Sequence, residues 1–186
     1  NRGAREPVPI HGPTSVEEVV DGLNRAYRLD SAYRVAHHGE AIVPRSGAGG
    51  VAHPFPAPAE GRGEVVIDEG GVKVTAFRVD HTPVDPAVGY RFDSGERSLV
   101  LSGDTLKSEN LQRFAEGVDL LVHEALAPHL VGVLTRGAEA AGRKNIVEIT
   151  RDILTYHASP VQAAEVARDA GVGFLLYYHI VPPLPL

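Results

Sequence analysis

Four apolar segments of the sequence end in a residue that can bind a metal ion or move a proton. "TAFRVDH" ends in His81, "LVLSGD" in Asp104, "LLVHE" in His123 and Glu124, and "LLYYH" in His179. A carboxylate at the end of a buried strand is costly unless a metal ion, a cationic side chain or backbone N–H groups meet it. The fold must therefore place these polar strand ends where such partners are available.

The local patterns predict an α/β fold. "TSVEEVVDGLNRAY" predicts an amphipathic helix with a capping box of Ser15 and Glu18, and "SPVQAAEVARDAGV" predicts one with a box of Ser159 and Gln162. Strands are predicted at "GEVVID", "VKVTAFRVD", "VGYRFDS", "RSLVLSG", "VDLLVHEA" and "GFLLYYH", and further helices near 108–117, 128–141 and 146–155. Antiparallel strands thus precede a strand–helix alternation, which predicts one layered α/β domain over residues 1–186.

One long segment lacks a regular pattern. Residues 37–63 are rich in Gly, Pro and Ala, which predicts a loop over most of this length. Loops of this kind are often flexible or line a site. His37 and His38 lie in it, and solvated loop histidines are commoner than metal ligands.

The strand ends of an open α/β sheet meet at one edge, so residues distant in sequence converge there. His157, between one helix and the Ser159 cap of the next, joins this set. Several histidines and an aspartate are the ligands that zinc and related ions use. Each residue also has a structural interpretation, for example Asp104 as a turn former or Glu124 as a helix N-terminal carboxylate. Taken together, the residues favour a metal site.

Composition narrows the class of protein. The formal net charge is -6 and the pI is near 5.8, which argues against a broad phosphate-binding surface. Cysteine is absent, so thiolate zinc sites and cysteine nucleophiles are excluded. No apolar run approaches the ~20 residues of a membrane span. We expect a soluble protein, in the cytoplasm or the periplasm.

The quoted motifs resemble a known family. "RVDHTPVDPAVGYRF", "SLVLSGDT", "DLLVHEAL", "YHASPVQAAEVARDAGV", "LLYYHIVPP" and the early "PIHGP" are similar to motifs of metallo-β-lactamase-fold hydrolases, in the branch of ribonuclease Z and arylsulfatase-like enzymes. The resemblance implies the C-terminal portion of a four-layer αββα sandwich, here expected to lack its N-terminal strands. The complete sandwich holds two divalent metal ions, usually zinc, with manganese or iron as alternatives. The sequence cannot distinguish zinc from iron, so a redox di-iron protein on the same fold is a further alternative.

The resemblance also implies roles for individual residues. His81, Asp104 and His179 match metal ligands, with Asp104 bridging both ions. His157 matches a catalytic histidine that contacts the scissile group or protonates the leaving oxygen. Glu124 matches a carboxylate that orients this histidine. Together with Asp104, these two residues form the predicted catalytic set.

Two departures from the family pattern affect these expectations. The HxHxDH motif, which supplies four family ligands, is absent from the sequence, so it is expected upstream of Asn1 and activity is expected to require it. Only a plain hairpin separates His81 from Asp104, where bacterial ribonuclease Z carries an arm that grips tRNA. The short hairpin and the acidic net charge together predict a small-molecule substrate and no nucleic-acid partner. No membrane partner is expected, and a homodimer is possible.

The expected reaction is metal-dependent hydrolysis. A metal-bound hydroxide would attack a phosphodiester, sulfate ester, lactone or lactam-type small molecule. The alternative is a non-catalytic or truncated domain of the same fold that serves in binding or assembly.

Overall fold

The computed structural model describes residues 3–183, and these form parts of two compact units, Asn1–Pro56 and Ala57–Leu186. The first unit has a two-stranded parallel sheet of β1 (Val8–Pro13) and β2 (Gly50–Phe55). Helices α1 (Val16–Ala26) and α2 (Arg28–His38) and a 3-10 turn at Arg45–Gly47 connect the two strands. Residues 37–63 therefore include a strand and a 3-10 turn.

The start of α1 differs from the predicted capping box. Ser15 has a left-handed backbone (φ 82°), and its side chain makes no capping hydrogen bond. Its carbonyl instead accepts a hydrogen bond from the Glu18 N–H at 3.2 Å. A capping box needs an extended backbone at the N-cap residue, so this prediction was wrong.

The second unit contains a six-stranded mixed sheet. Strands β3 (Gly63–Glu69), β4 (Val72–Arg78), β5 (Val88–Ser94) and β6 (Arg97–Leu101) pair antiparallel in that order. Strands β7 (Leu120–Leu126) and β8 (Phe174–Val181) continue the sheet in parallel from β6. All six strands lie where the sequence predicted them, and the mixed α/β class is confirmed.

Helices connect the parallel strands. They are α3 (Glu109–Phe114), α4 (Pro128–Ala140), α5 (Lys144–Asp152), a 3-10 turn (Ile153–Thr155) and α6 (Pro160–Asp169). Helix α6 has the predicted capping box: Gln162 N–H donates to Ser159 Oγ at 3.2 Å, and Ser159 N–H donates to Gln162 Oε1 at 2.8 Å. Among the described residues, no helix is both long and apolar enough to cross a membrane.

One face of the six-stranded sheet carries the core. Phe77, Val100 and Leu121 are fully buried there and cluster with Leu111 of α3 and Val166 of α6. Side chains alternate between the two faces of a strand, so their neighbours point to the opposite face. There, an in-register row crosses the sheet through Ile67, Val74, Phe92, Leu99, Leu120 and Phe174. This opposite face is also apolar but more open, since Phe174 is 76% exposed.

Candidate metal centre

The carboxyl ends of β6, β7 and β8 gather the polar residues that the sequence analysis selected. Asp104 follows β6, whereas Glu124 and His179 lie in the last residues of β7 and β8. These three strands are adjacent and parallel, so their carboxyl ends meet at one edge of the sheet. His157 reaches the same place from the loop that precedes α6.

Asp104, His157 and His179 offer ligand atoms that all lie within 4.8 Å of one another. His179 Nε2 lies 3.4 Å from Asp104 Oδ2, and the His157 and His179 ring centroids are 5.6 Å apart. Two imidazoles and a carboxylate are a donor set that suits zinc and related divalent ions. The arrangement could therefore hold a metal ion.

His81 lies beside this group. Its ring centroid is 5.2 Å from that of His157, and its Nδ1 lies 2.9 Å from the backbone oxygen of Tyr156. This contact favours the tautomer with the proton on Nδ1, which leaves Nε2 as the possible ligand atom. The predicted ligands Asp104 and His179 and the predicted catalytic residue His157 thus form the close group, and the predicted ligand His81 lies outside it, in contact with His157.

His179 is held in place by an irregularity of the sheet. The register of β7 with β8 shifts after Glu124, so Tyr178 faces Glu124, Ile180 faces Ala125, and His179 is the extra residue of a bulge. Its backbone has φ 44°, in the left-handed region that a residue with a Cβ rarely adopts. Such conformations cluster at functional sites, which is consistent with a ligand role.

Glu124 is the buried support of the cluster. Its side chain is fully buried, and its Oε1 lies 2.9 Å from His157 Nδ1 and accepts a 2.7 Å hydrogen bond from the Thr105 N–H. Its Oε2 has no hydrogen-bond partner in the described residues. Burial raises the pKa of Glu124 to about 7, and the nearby Asp104 charge also raises it. A buried carboxylate with a free oxygen favours a cation close by.

His157 and His123 have different surroundings. Burial lowers the pKa of His157, although the Asp104 charge acts in the opposite direction. His123 is fully buried, its Nδ1 lies 2.8 Å from the Glu124 carbonyl oxygen, and burial lowers its pKa. Since β7 side chains alternate, His123 points to the face opposite to Glu124 and stands outside the cluster.

The turn after β6 depends on a glycine. Gly103 has φ 67°, and a Cβ there would lie 2.6 Å from the Val88 carbonyl oxygen. The turn brings the Thr105 N–H to Glu124 and places Asp104 beside His179. The sequence analysis missed two backbone groups that orient the cluster, the Thr105 N–H and the Tyr156 carbonyl. Backbone groups carry no side-chain signature that sequence patterns could reveal.

Comparisons with known proteins agree with this geometry. The protein-family model described as the beta-lactamase superfamily domain matches residues 7–180 of this chain. Ribonuclease Z of Mycolicibacterium gilvum (strain PYR-GCK) is 35% identical over 178 residues, which cover 96% of this chain and 55% of that protein. Ribonuclease Z of Mycobacterium tuberculosis (strain H37Rv) is 34% identical over 179 residues, covering 96% of this chain and 58% of that protein. The chain spans about half the length of these relatives.

A solved structure supports the fold. The short form of human tRNase Z (ELAC1) superimposes with a TM-score of 0.59 at 19% sequence identity, covering 94% of this chain and 60% of that chain. This confirms the expected metallo-β-lactamase fold.

The prediction that nucleic acid is not a partner was wrong. The relatives are named ribonuclease Z, a name that states action on RNA. The prediction failed because a net charge of -6 describes the whole chain and not the local surface beside a site. The missing arm removes one means of gripping RNA and does not exclude others.

The matched family model, the sequence relatives and the fold together show that this chain belongs to the metallo-β-lactamase-fold hydrolases, in the branch that includes ribonuclease Z.

Proposed function

We propose that this chain carries part of the active site of a metal-dependent phosphodiester hydrolase that acts on RNA. The observation that supports this most directly is the convergence of Asp104, His157 and His179 within 4.8 Å, backed by the buried Glu124. The ribonuclease Z names of the relatives favour RNA among the phosphodiesters.

In this proposal His81, Asp104 and His179 hold metal ions, and zinc is the ion that this donor set favours. The family resemblance leads us to expect two ions, and these three residues would supply part of their ligands. When bound, the metal supplies a Lewis acid that polarises the phosphoryl oxygens. Asp104 and His179 are partly exposed, with side-chain exposures of 39% and 43%, so the site has an open side for a substrate.

His157 acts as the proton donor to the leaving oxygen. Glu124 Oε1 accepts a hydrogen bond from Nδ1, which fixes the ring and leaves Nε2 for the substrate side. In the protonated state, the Glu124 carboxylate stabilises the imidazolium, and Nε2–H donates its proton as the bond to the leaving oxygen breaks. Burial lowers the pKa of His157, which favours release of that proton.

The experiment combines metal analysis with hydrolysis. Purified chain is loaded with zinc, dialysed and analysed for bound metal. It is then assayed on an RNA with a 3′ extension and on bis(p-nitrophenyl) phosphate, beside the His157→Ala variant. We expect His81, Asp104 and His179 to retain zinc in both proteins. Because activity is expected to require the HxHxDH motif, we expect hydrolysis of both substrates by the wild type only, once a polypeptide that carries this motif is added. Zinc binding without hydrolysis of either substrate would favour the non-catalytic alternative.

A further inference from the structure

An RNA substrate needs a positively charged surface near the metal centre, although the protein is acidic overall. Half of the twelve Arg and Lys side chains of the second unit cannot supply it freely, because they pair with carboxylates. These are Arg78, Arg91, Arg97, Lys107, Arg151 and Arg168.

Six other cations between residues 57 and 183 form no ion pair with a carboxylate among the described residues. They are Arg62, Lys73, Arg113, Arg136, Arg143 and Lys144. The last three share one surface element, the α4–α5 hairpin (residues 128–152), and all three are exposed. Arg143 and Lys144 lie at its tip, where Arg143 precedes α5 and Lys144 is its first residue.

The α4–α5 hairpin is internally braced. Thr135 Oγ1 donates to Thr150 Oγ1 at 2.9 Å, and Arg151 pairs with Glu139 at 2.7 Å. The hairpin also carries the exposed carboxylates Glu148 and Asp152, so four Arg and Lys side chains stand with three carboxylates over residues 128–152. The brace joins the two helices that carry these cations.

The C-terminal end of the hairpin lies beside the proposed metal centre. Helix α5 has 9 residues, about 13 Å, and its last residue, Asp152, lines a small cavity together with His81 and Tyr156. The cations at the tip are therefore about one short helix away from the cluster. A few nucleotides of RNA would span this distance.

A second surface that borders His81 has the opposite charge. A cavity of about 620 Å³ beside His81 is lined by Glu60, Asp80, Asp85 and Glu109, and its one cation, Arg78, pairs with Asp85. A polyanion is repelled there. Of the two surfaces described here, the α4–α5 hairpin is the one that carries unpaired cations and therefore favours phosphate.

We propose that the α4–α5 hairpin binds the phosphate backbone of the RNA next to the scissile bond, through Arg136, Arg143 and Lys144. This inference rests on the proposed function, because it takes RNA as the substrate. Contacts of this kind position the RNA without reading its sequence.

The test measures RNA affinity as a function of salt concentration. The probe is a fluorescent RNA duplex with a single-stranded 3′ extension, titrated by anisotropy with the wild-type chain. The R136Q/R143Q/K144Q variant removes the hairpin cations, and the R62Q/K73Q/R113Q variant removes the three other unpaired cations with the same change in net charge. Both replace exposed side chains, and circular dichroism verifies that they fold.

We expect the hairpin variant to bind RNA at least ~10-fold more weakly than the wild type. The slope of log affinity against log salt concentration should become less negative by about 2. The control variant should stay within about 3-fold of the wild type. Equal losses in both variants, or unchanged affinity in the hairpin variant, would overturn the inference.

Hydrolysis of bis(p-nitrophenyl) phosphate separates this inference from the proposed function, since this small ester offers no backbone to the hairpin. The hairpin variant should retain the wild-type rate on it. If the zinc-loaded wild type does not hydrolyse this ester or RNA but binds RNA through the hairpin, the proposed function fails and the inference stands. If hydrolysis occurs and the hairpin variant binds RNA as tightly as the wild type, only the inference fails.

Discussion

Glu124 and His157 form a buried pair in which Glu124 Oε1 lies 2.9 Å from His157 Nδ1. The carboxylate is fully buried and the histidine side chain is 8% exposed. The pair lies directly behind Asp104 and His179, which are open to solvent on their other side. Carboxylates that hold a histidine in this way orient the ring and set its tautomer. Substitutions at Glu124 should therefore change the metal affinity of the centre.

The Glu124→Gln substitution tests this pair. Glutamine keeps the size of the side chain but removes the charge that favours a cation nearby. We expect zinc affinity to fall roughly 10- to 100-fold. Competition with a chromophoric chelator measures it. Glu165→Gln, which changes an exposed glutamate of α6, is the matched control and should leave zinc affinity unchanged. Unaltered affinity in Glu124→Gln would contradict the proposed support role.

The Asp104→Ala substitution removes the carboxylate that lies 3.4 Å from His179 Nε2. We expect the variant to lose both bound metal and hydrolysis, because the remaining imidazoles carry no negative charge to offset that of the cation. Elemental analysis after dialysis and the two hydrolysis assays measure this. Asp169→Ala, on the exposed end of α6, is the control. Full zinc content or normal turnover in Asp104→Ala would refute the ligand assignment.

His179 combines a proposed ligand role with a strained backbone at φ 44°. His179→Ala and His179→Gly both remove the imidazole, so both should lose metal. Glycine adopts this conformation without the Cβ conflict, so the glycine variant should be more stable than the alanine variant by about 1 kcal/mol. Urea unfolding of the metal-free proteins measures the difference. Equal stability of the two variants would show that the bulge is not strained.

The two faces of the six-stranded sheet should respond differently to truncation. Leu121 is fully buried under α3 and α6, whereas Phe174 on the opposite face is 76% exposed. We expect Leu121→Ala to lower the free energy of unfolding by about 2–5 kcal/mol, and Phe174→Ala by less than ~0.5 kcal/mol. Urea unfolding followed by circular dichroism checks both. A large loss in Phe174→Ala would indicate that this face is covered in solution.

Asp119 gives an acid-dependent contribution to stability. Its pKa is lowered by the hydrogen bond from the Ser98 N–H and by Arg97. A carboxylate with a lowered folded-state pKa stabilises the fold above its unfolded pKa, near 4, and this contribution is lost as the pH falls through the folded-state value. The stability difference between wild type and Asp119→Asn should therefore shrink below about pH 4. Urea midpoints from pH 3 to 7 measure it, and a difference independent of pH would contradict it.

Much of the second unit was predictable from local patterns. The six strands and the capping box of Ser159 and Gln162 follow from short-range signals, since an apolar run and an N-cap residue depend mainly on their neighbours. The candidate residues were recognisable for the same reason: His81, Asp104, Glu124 and His179 stand where apolar runs end.

Other features could not be predicted from the sequence, because they depend on contacts between residues that are distant in sequence. Strand β2 lies in a segment with the composition of a loop, and its pairing with β1 joins residues such as Ile10 and Ala52. Ser15 has the residue type of an N-cap but a backbone that prevents that role.

The sequence by itself indicated which residues are candidates for the chemistry, because residue type and strand position are local properties of the chain. Only the tertiary structure decided that Asp104, His157 and His179 meet within 4.8 Å and that the buried Glu124 contacts His157. Distances between remote residues follow from strand order, a bulge and helix packing, and these depend on the free energy of the whole fold.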